Sequence, residues 1–338
     1  MENKRIWFTS PSVAELLDAP YKQPGANQVT VKLAVSTISS GTERANLIGD
    51  VNINSTKPAA AQAKFPRSGG YSAAGTVVEV GEGVADFQVG DRVAVCWGHH
   101  AKYVTIGTKD LFKLPEEVSF SEAAVWNIAT FPMAAIRKCR LEMGESAIVM
   151  GLGILGQLAV QLLHIAGAVP VIAVDPIAAR REKALKLGAD YAFDPFAPDF
   201  TEKVKEVSHG GANVAIEVTG NGQALNQVLD CMAKHGRVAL LGCTRHSDFT
   251  VDYYHKVHGP GISLIGAHTS ARPDAESASG YWTHHDDAMA FLRLCAAGRL
   301  HLKDFVEETH APEEASEVFR RLIEDKHFPI VQFDWMQI

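Results

Sequence analysis

The chain has 338 residues, 46% of them hydrophobic, and its 39 Asp and Glu outnumber 32 Lys and Arg to give a formal net charge of −7. That balance leaves no electrostatic footprint for nucleic acid, and no run reaches the ~18 apolar residues that a bilayer span needs. Residues Met1 to Trp7 lack the apolar core of a secretion signal, so a cytoplasmic protein of about two domains, handling a small-molecule substrate, is expected. Five cysteines (Cys96, Cys139, Cys231, Cys243, Cys295) are scattered and odd in number, without C-x-x-C spacing, which indicates neither a disulfide framework nor a structural zinc lobe.

Up to about residue 120, short alternating runs broken by glycine (29–35, 75–80 and 89–95) predict a β-rich, barrel-like domain. Lys57 to Lys64, alanine-rich after Pro58, is the segment expected to be most mobile. From Ser121 the pattern changes to alternating helix and strand. The periodicity predicts a helix over 129–139, a strand over 146–150, a glycine turn, a helix over 157–166 and a strand over 169–174 that ends at Asp175. Helices over 178–187, 201–208 and 222–233 then alternate with strands over 191–193, 214–219, 237–241 and 263–267. Such alternation implies an α/β fold with a doubly wound parallel sheet. From Tyr281 the tail returns to helix (286–297 and 313–324) with extended runs at 302–307 and 330–335. The simplest organisation inserts a nucleotide-binding Rossmann domain, 121–269, into a discontinuous outer domain made of 1–120 and 270–338, leaving a cleft between them.

The most informative stretch is Met150 to Gly156, where an apolar strand breaks into Gly151-x-Gly153-x-x-Gly156 and Asp175 follows nineteen positions later. Gly151 permits the tight turn, Gly153 lets a pyrophosphate approach the backbone, and Gly156 lets the helix pack against its strand. The amides of the first turn, including Ile154 and Leu155, and the helix dipole hold the anion. Asp175 is placed to accept both hydroxyls of the adenosine ribose and to repel a 2′-phosphate, which favours NAD over NADP, although Arg180 and Arg181 close behind soften that preference. Thr219-Gly220, Gly242-Cys243 and Ala267-His268 each follow a predicted parallel strand, at the ends where ligands of open α/β sheets collect.

With these elements in place, the chain resembles the medium-chain dehydrogenase/reductase superfamily over nearly its whole length. Gly75 to Val84 followed by Val89-Gly-Asp-Arg-Val93 looks like the family's outer-domain hairpin. His100-Ala-Lys-Tyr-Val104 and Leu185-Lys-Leu-Gly-Ala-Asp190 match further segments. The resemblance implies a GroES-like, β-rich catalytic domain around the Rossmann domain, a homodimer or homotetramer, and a role for Thr130 at the nicotinamide end of the cofactor. Ser-Gly-Thr-Glu-Arg44 and Gly70-Tyr71 resemble a branch that includes bacteriochlorophyllide dehydrogenase-like and sorbitol or threonine dehydrogenase-like proteins.

Zinc-dependent members take ligands from a Cys in Gly-Ile-Cys-x-Thr-Asp, from the His of Gly-His-Glu, and from an acid or Cys just before the nucleotide domain. Here Ser40, Tyr71 and Asn127 stand at or near those places, and such groups are poor zinc ligands at neutral pH. The expectation is therefore no catalytic zinc and no structural zinc. Without a metal, the charge that develops on oxygen during hydride transfer needs side-chain donors, for which Thr42, Tyr71, Ser40 and Asn127 are the candidates. Glu43 sits where relatives carry an acid that contacts an arginine, and is expected to form a structural ion pair. His99 and His100 are a further possible acid/base pair. The favoured function is a zinc-independent, NAD(H)-dependent interconversion of a secondary alcohol and a carbonyl on a polyol or sugar-like compound. The alternatives are an NAD(P)H-dependent enone or quinone reductase and a non-catalytic dinucleotide-binding sensor.

Overall fold

The computed structural model describes residues 1–54, 57 and 62–338; residues 58–61 of the segment expected to be mobile lie outside the described residues. In chain order the elements begin with β1 (Asn3–Ser10), β2 (Val13–Ala19), β3 (Gln28–Thr37), α1 (Ser40–Ile48), β4 (Ser72–Val80), β5 (Arg92–Cys96), β6 (Tyr103–Gly107) and β7 (Leu111–Lys113). They continue through α2 (Phe120–Ala123), α3 (Trp126–Lys138), β8 (Ala147–Met150), α4 (Ile154–Ile165), β9 (Val171–Val174), α5 (Ala178–Lys186), β10 (Tyr191–Phe193) and α6 (Phe200–Val207). The remainder are β11 (Ala212–Glu217), α7 (Gly222–Asp230), β12 (Met232–Leu240), β13 (Ser263–Gly266), α8 (His284–Ala296), β14 (Glu308–His310), α9 (Ala315–Glu324) and β15 (Val331–Asp334). Among the described residues no helix is long and apolar enough to cross a membrane.

The chain forms two compact units, one of residues 1–128, 291–298 and 302–338, the other of 129–290 and 299–301. The first is a seven-stranded sheet in the order β14-β15-β3-β4-β5-β7, with β6 also paired to β3, together with the β1–β2 hairpin. All of its pairings are antiparallel except β14 with β15. Its core draws on both ends of the chain: Phe8, Val31 and Leu33 pack in one apolar cluster with Phe319, Phe333 and Trp335. This is why the first unit is discontinuous in sequence, since β15 hydrogen-bonds directly to β3.

The second unit is a six-stranded, wholly parallel sheet in the order β10-β9-β8-β11-β12-β13, the doubly wound order of dinucleotide-binding folds. Every residue of β8 and β9 is buried, as expected for central strands covered by helices on both faces. The expected α/β class and the β-rich partner domain are both present. The helix expected over 222–233 ends at Asp230 instead. There the Cys231 carbonyl accepts the Ala212 amide (2.9 Å), drawing the chain onto the sheet, and the β11–β12 ladder then skips from Met232 to Arg237.

Candidate active site

In the second unit the glycine turn has the stereochemistry its sequence requires. Gly151 has φ +95°, and a Cβ there would lie 2.8 Å from Thr219 Cγ2. At Gly156 a Cβ would lie 1.9 Å from the Gly151 carbonyl oxygen, so α4 packs on its strand only without one. A Cβ on Gly153 would meet nothing within 4 Å, which leaves open space at the N-terminus of α4. Gly153 also caps α4, whose first turn brings Ile154 and Leu155.

Asp175 is buried at the end of β9, and both of its oxygens accept backbone amides: Leu152 N–H at 2.8 Å and Ile177 N–H at 2.8 Å. The carboxylate therefore ties the glycine turn to the next loop. Arg180 Nη1 lies 3.7 Å from it. Gln157, which the sequence reading passed over, is buried and donates to the carbonyls of Arg180 (2.9 Å) and Leu152 (3.3 Å), bracing the same corner.

The turns after β8, β11 and β12 converge. A Cβ on Gly220 would lie 2.7 Å from the Cys243 backbone, and one on Gly242 would lie 2.1 Å from the Gly220 nitrogen. Buried Glu217, also unforeseen, accepts the Thr219 hydroxyl, the Thr219 amide (2.7 Å) and the Gly220 amide (3.2 Å), which fixes this loop. Burial pushes the Glu217 carboxyl above its ordinary value, against those donors. Of the remaining predicted residues, Ala267 is buried and exposed His268 pairs through Nδ1 with the Ser270 hydroxyl (2.8 Å). Thr130 is wholly buried, and its carbonyl and hydroxyl oxygens accept hydrogen bonds from Arg272 Nη2 at 2.9 and 3.1 Å.

In the first unit, α1, the start of β4 and the start of α3 bring together a buried polar cluster. The Tyr71 hydroxyl donates to the Ser39 hydroxyl, and Asn127 Nδ2 donates to the Tyr71 carbonyl (2.7 Å) and to Cys96 Sγ (3.3 Å). Ser72 Oγ accepts the Asn127 amide (3.2 Å) and donates to the Ala124 carbonyl (2.7 Å). Two of the four predicted catalytic residues, Tyr71 and Asn127, are thus joined. Ser40 and Thr42 are not part of the network, for both lie in the first turn of α1 and their hydroxyls make no hydrogen bond among the described residues. The hydroxyl that meets Tyr71 belongs instead to Ser39, the N-cap, whose backbone (φ −89°, ψ 88°) stands outside the helix.

Glu43 is indeed in a structural pair, but its partner is His100 (2.8 Å) rather than an arginine. His100 is thereby committed to a buried network, which corrects its reading as an acid/base candidate. His99 is held down to about 4, first by burial and then by the charge of Arg5, so it is neutral near pH 7. Trp97, which carried no signal in the sequence, is half exposed beside the cluster, its ring centroid 5.9 Å from that of Tyr71. Trp97, His99 and His100 all have positive φ (59°, 57° and 45°), a conformation disfavoured for residues that carry a side chain.

Residues 155–279 match the family model described as zinc-binding dehydrogenase, and residues 25–116 match that of the alcohol dehydrogenase GroES-like domain. The (R,R)-butanediol dehydrogenase of Bacillus subtilis is 30% identical over 254 residues, covering 67% of this chain and 73% of that protein. The chain belongs to the medium-chain dehydrogenase/reductase superfamily. A D-guloside 3-dehydrogenase of Shigella flexneri is 27% identical over 344 residues, 96% of this chain and 97% of that one. The crystal structure of 2R,3R-butanediol dehydrogenase from Bacillus subtilis shares the fold with a TM-score of 0.81 at 24% identity, covering 98% of this chain and 99% of that chain.

Set against that superfamily, the residues at the three metal-ligand places do not fit a zinc ion. Ser40 offers a neutral hydroxyl, the Tyr71 hydroxyl is directed at Ser39, and the Asn127 amide nitrogen is spent on a carbonyl and a thiol. Among the described residues no group of three or more His, Cys, Asp or Glu side chains is arranged to hold a metal.

Proposed function

We propose that this chain is an NAD-dependent dehydrogenase that interconverts a secondary alcohol and a carbonyl on a polyol or sugar-like substrate without zinc. The observation that carries this reading is the Tyr71–Ser39 hydroxyl pair beside Asn127, a donor set standing where a metal-dependent relative would hold its ion. When bound, the nicotinamide supplies or accepts the hydride. The chain's own part is to hold the dinucleotide on the glycine turn and Asp175, and to steady the substrate oxygen.

In the reducing direction Tyr71 turns its O–H from Ser39 to the carbonyl oxygen, stabilises the negative charge that grows as hydride reaches the carbon, and gives up its proton to complete the alcohol. Oxidation returns that proton to Tyr71. A sugar-like substrate is supported by the half-exposed Trp97 ring, which offers an apolar face next to hydroxyl chemistry, and by the near full-length similarity to D-guloside 3-dehydrogenase. The preference for NAD rests on buried Asp175, whose charge disfavours a 2′-phosphate. The test is a panel of glycosides, polyols and enones with NAD(H) and NADP(H), followed at the NADH absorbance. Turnover of glycosides or polyols with NAD is expected, and turnover of enones alone would refute the assignment.

A further inference from the structure

Four buried groups near the hydroxyl pair take no part in the chemistry above. Trp335, Ser36, His100 and Glu43 are each 0% exposed and form an unbroken chain of hydrogen bonds. Trp335 Nε1 lies 2.8 Å from Ser36 Oγ, Ser36 Oγ 2.7 Å from His100 Nδ1, and His100 Nε2 2.8 Å from Glu43 Oε2. An indole N–H only donates, so Ser36 Oγ accepts from Trp335 and joins it to His100 Nδ1. A carboxylate only accepts, so His100 Nε2 carries a proton and donates it to Glu43 Oε2.

The other Glu43 oxygen, Oε1, accepts the backbone amides of Ser39 (3.0 Å) and Gly70 (3.4 Å). Ser39 is the partner of the Tyr71 hydroxyl, and Gly70 immediately precedes Tyr71. The fit leaves no slack: a Cβ on Gly69 would lie 2.7 Å from Glu43 Oε2, and one on Gly70, at φ +80°, would lie 2.3 Å from the His100 nitrogen.

We propose that Trp335, Ser36, His100 and Glu43 are a relay of positioning residues that holds the Ser39 and Gly70 backbones in register, so that the Tyr71–Ser39 hydroxyl pair is preformed. The consequence for catalysis rests on the dehydrogenase reading; the positional claim does not. In a metal enzyme a shared ion draws such segments together. Here a carboxylate grips two of them by their amides, and Asn127 ties in the third through the Tyr71 carbonyl. The relay also makes the C-terminal end of the chain part of the site, because its first donor is Trp335.

The experiment combines amide hydrogen exchange at Ser39 and Gly70 with kcat at saturating NAD, on Ser36→Ala, Ser36→Thr and Glu43→Gln. Ser36→Ala removes one hydroxyl and keeps the packing. It should quicken exchange at both amides and lower kcat, each about tenfold, the value of one buried hydrogen bond, with KM for NAD unchanged. Ser36→Thr, which keeps the hydroxyl, should restore both, and Glu43→Gln should exceed Ser36→Ala because its amide N–H₂ can be turned against His100 Nε2–H. If Ser36→Ala fails to fold, Trp335→Phe, which removes the outermost donor together with part of a fully buried ring, takes its place, and its exchange at Ser39 and Gly70 is read against that at core amides away from Ser36. Unchanged exchange at Ser39 and Gly70 in folded variants overturns the proposal, and so does quickened exchange with kcat intact. A wild-type chain that turns over no alcohol with NAD refutes the dehydrogenase reading instead, while exchange at the two amides still decides the relay.

Discussion

The glycine turn of the second unit and the hydroxyl cluster of the first are sites of opposite construction. At the turn, function resides in the backbone: Gly156 must lack a Cβ because one would lie 1.9 Å from the Gly151 carbonyl oxygen, and Asp175 holds the loop through the Leu152 amide. In the cluster, the proposed function rests on side chains: Tyr71 and Asn127 make hydrogen bonds at the places where the resemblance puts metal ligands in relatives. A site built from backbone geometry announces itself in any one sequence. A site built from side chains is legible only as a departure from its relatives.

If this contrast holds, damage to the two sites separates into kcat and cofactor affinity. The largest effect is expected from Tyr71→Phe, which removes the donor and keeps the ring against Trp97: kcat should fall roughly 10²- to 10³-fold, as for loss of an oxyanion donor, with the Kd for NAD unchanged by calorimetry. An equal loss of NAD affinity would erase the distinction. Asp175→Ala should do the converse, weakening NAD roughly 10- to 100-fold through lost charged hydrogen bonds while narrowing the gap to NADP. Gly156→Ala forces the backbone apart at a cost of about 1–3 kcal/mol, and should lower both Tm and dinucleotide affinity while the hydroxyl cluster stays intact.

Two smaller effects sharpen the picture. His99 is held at about 4 by burial and the charge of Arg5, so His99→Gln should leave the pH dependence of kcat between pH 5 and 8 unaltered. Away from both sites, Arg321 holds Glu308 down to about 2 from its ordinary 4.5. A depressed carboxyl pKa contributes stability that is present above 4.5 and is lost as pH falls toward 2. Arg321→Ala should therefore lower Tm by a few degrees at neutral pH, and its deficit should shrink across that acid window in thermal melts.

The parallel sheet and its glycine turn were readable because helix and strand periods alternate cleanly and each glycine answers a steric demand. Residues distant in sequence were not. The pairing of β15 with β3 places Trp335 on Ser36, a contact 299 positions apart that no local pattern encodes. Counting from the metal-ligand motif selects Ser40, but the helix begins there, and it is the N-cap residue Ser39 that meets the Tyr71 hydroxyl. Glu43 was recognisable as a paired acid, yet its partner depends on how the turn bearing His99 and His100 folds back over Gly70, with backbone angles that the sequence does not advertise. Trp97 escaped notice because exposure on a strained turn, not composition, makes it informative.

In the proposed mechanism hydroxyl and amide donors, rather than a divalent cation, steady the substrate oxygen. That mechanism is tested most directly by measuring zinc content and NAD-dependent glycoside oxidation on the same purified, chelator-treated sample and again after zinc is added back. The rate should not vary with zinc content and should collapse in Tyr71→Phe. A rate that rises in proportion to bound zinc, with Tyr71→Phe still active, would contradict the mechanism.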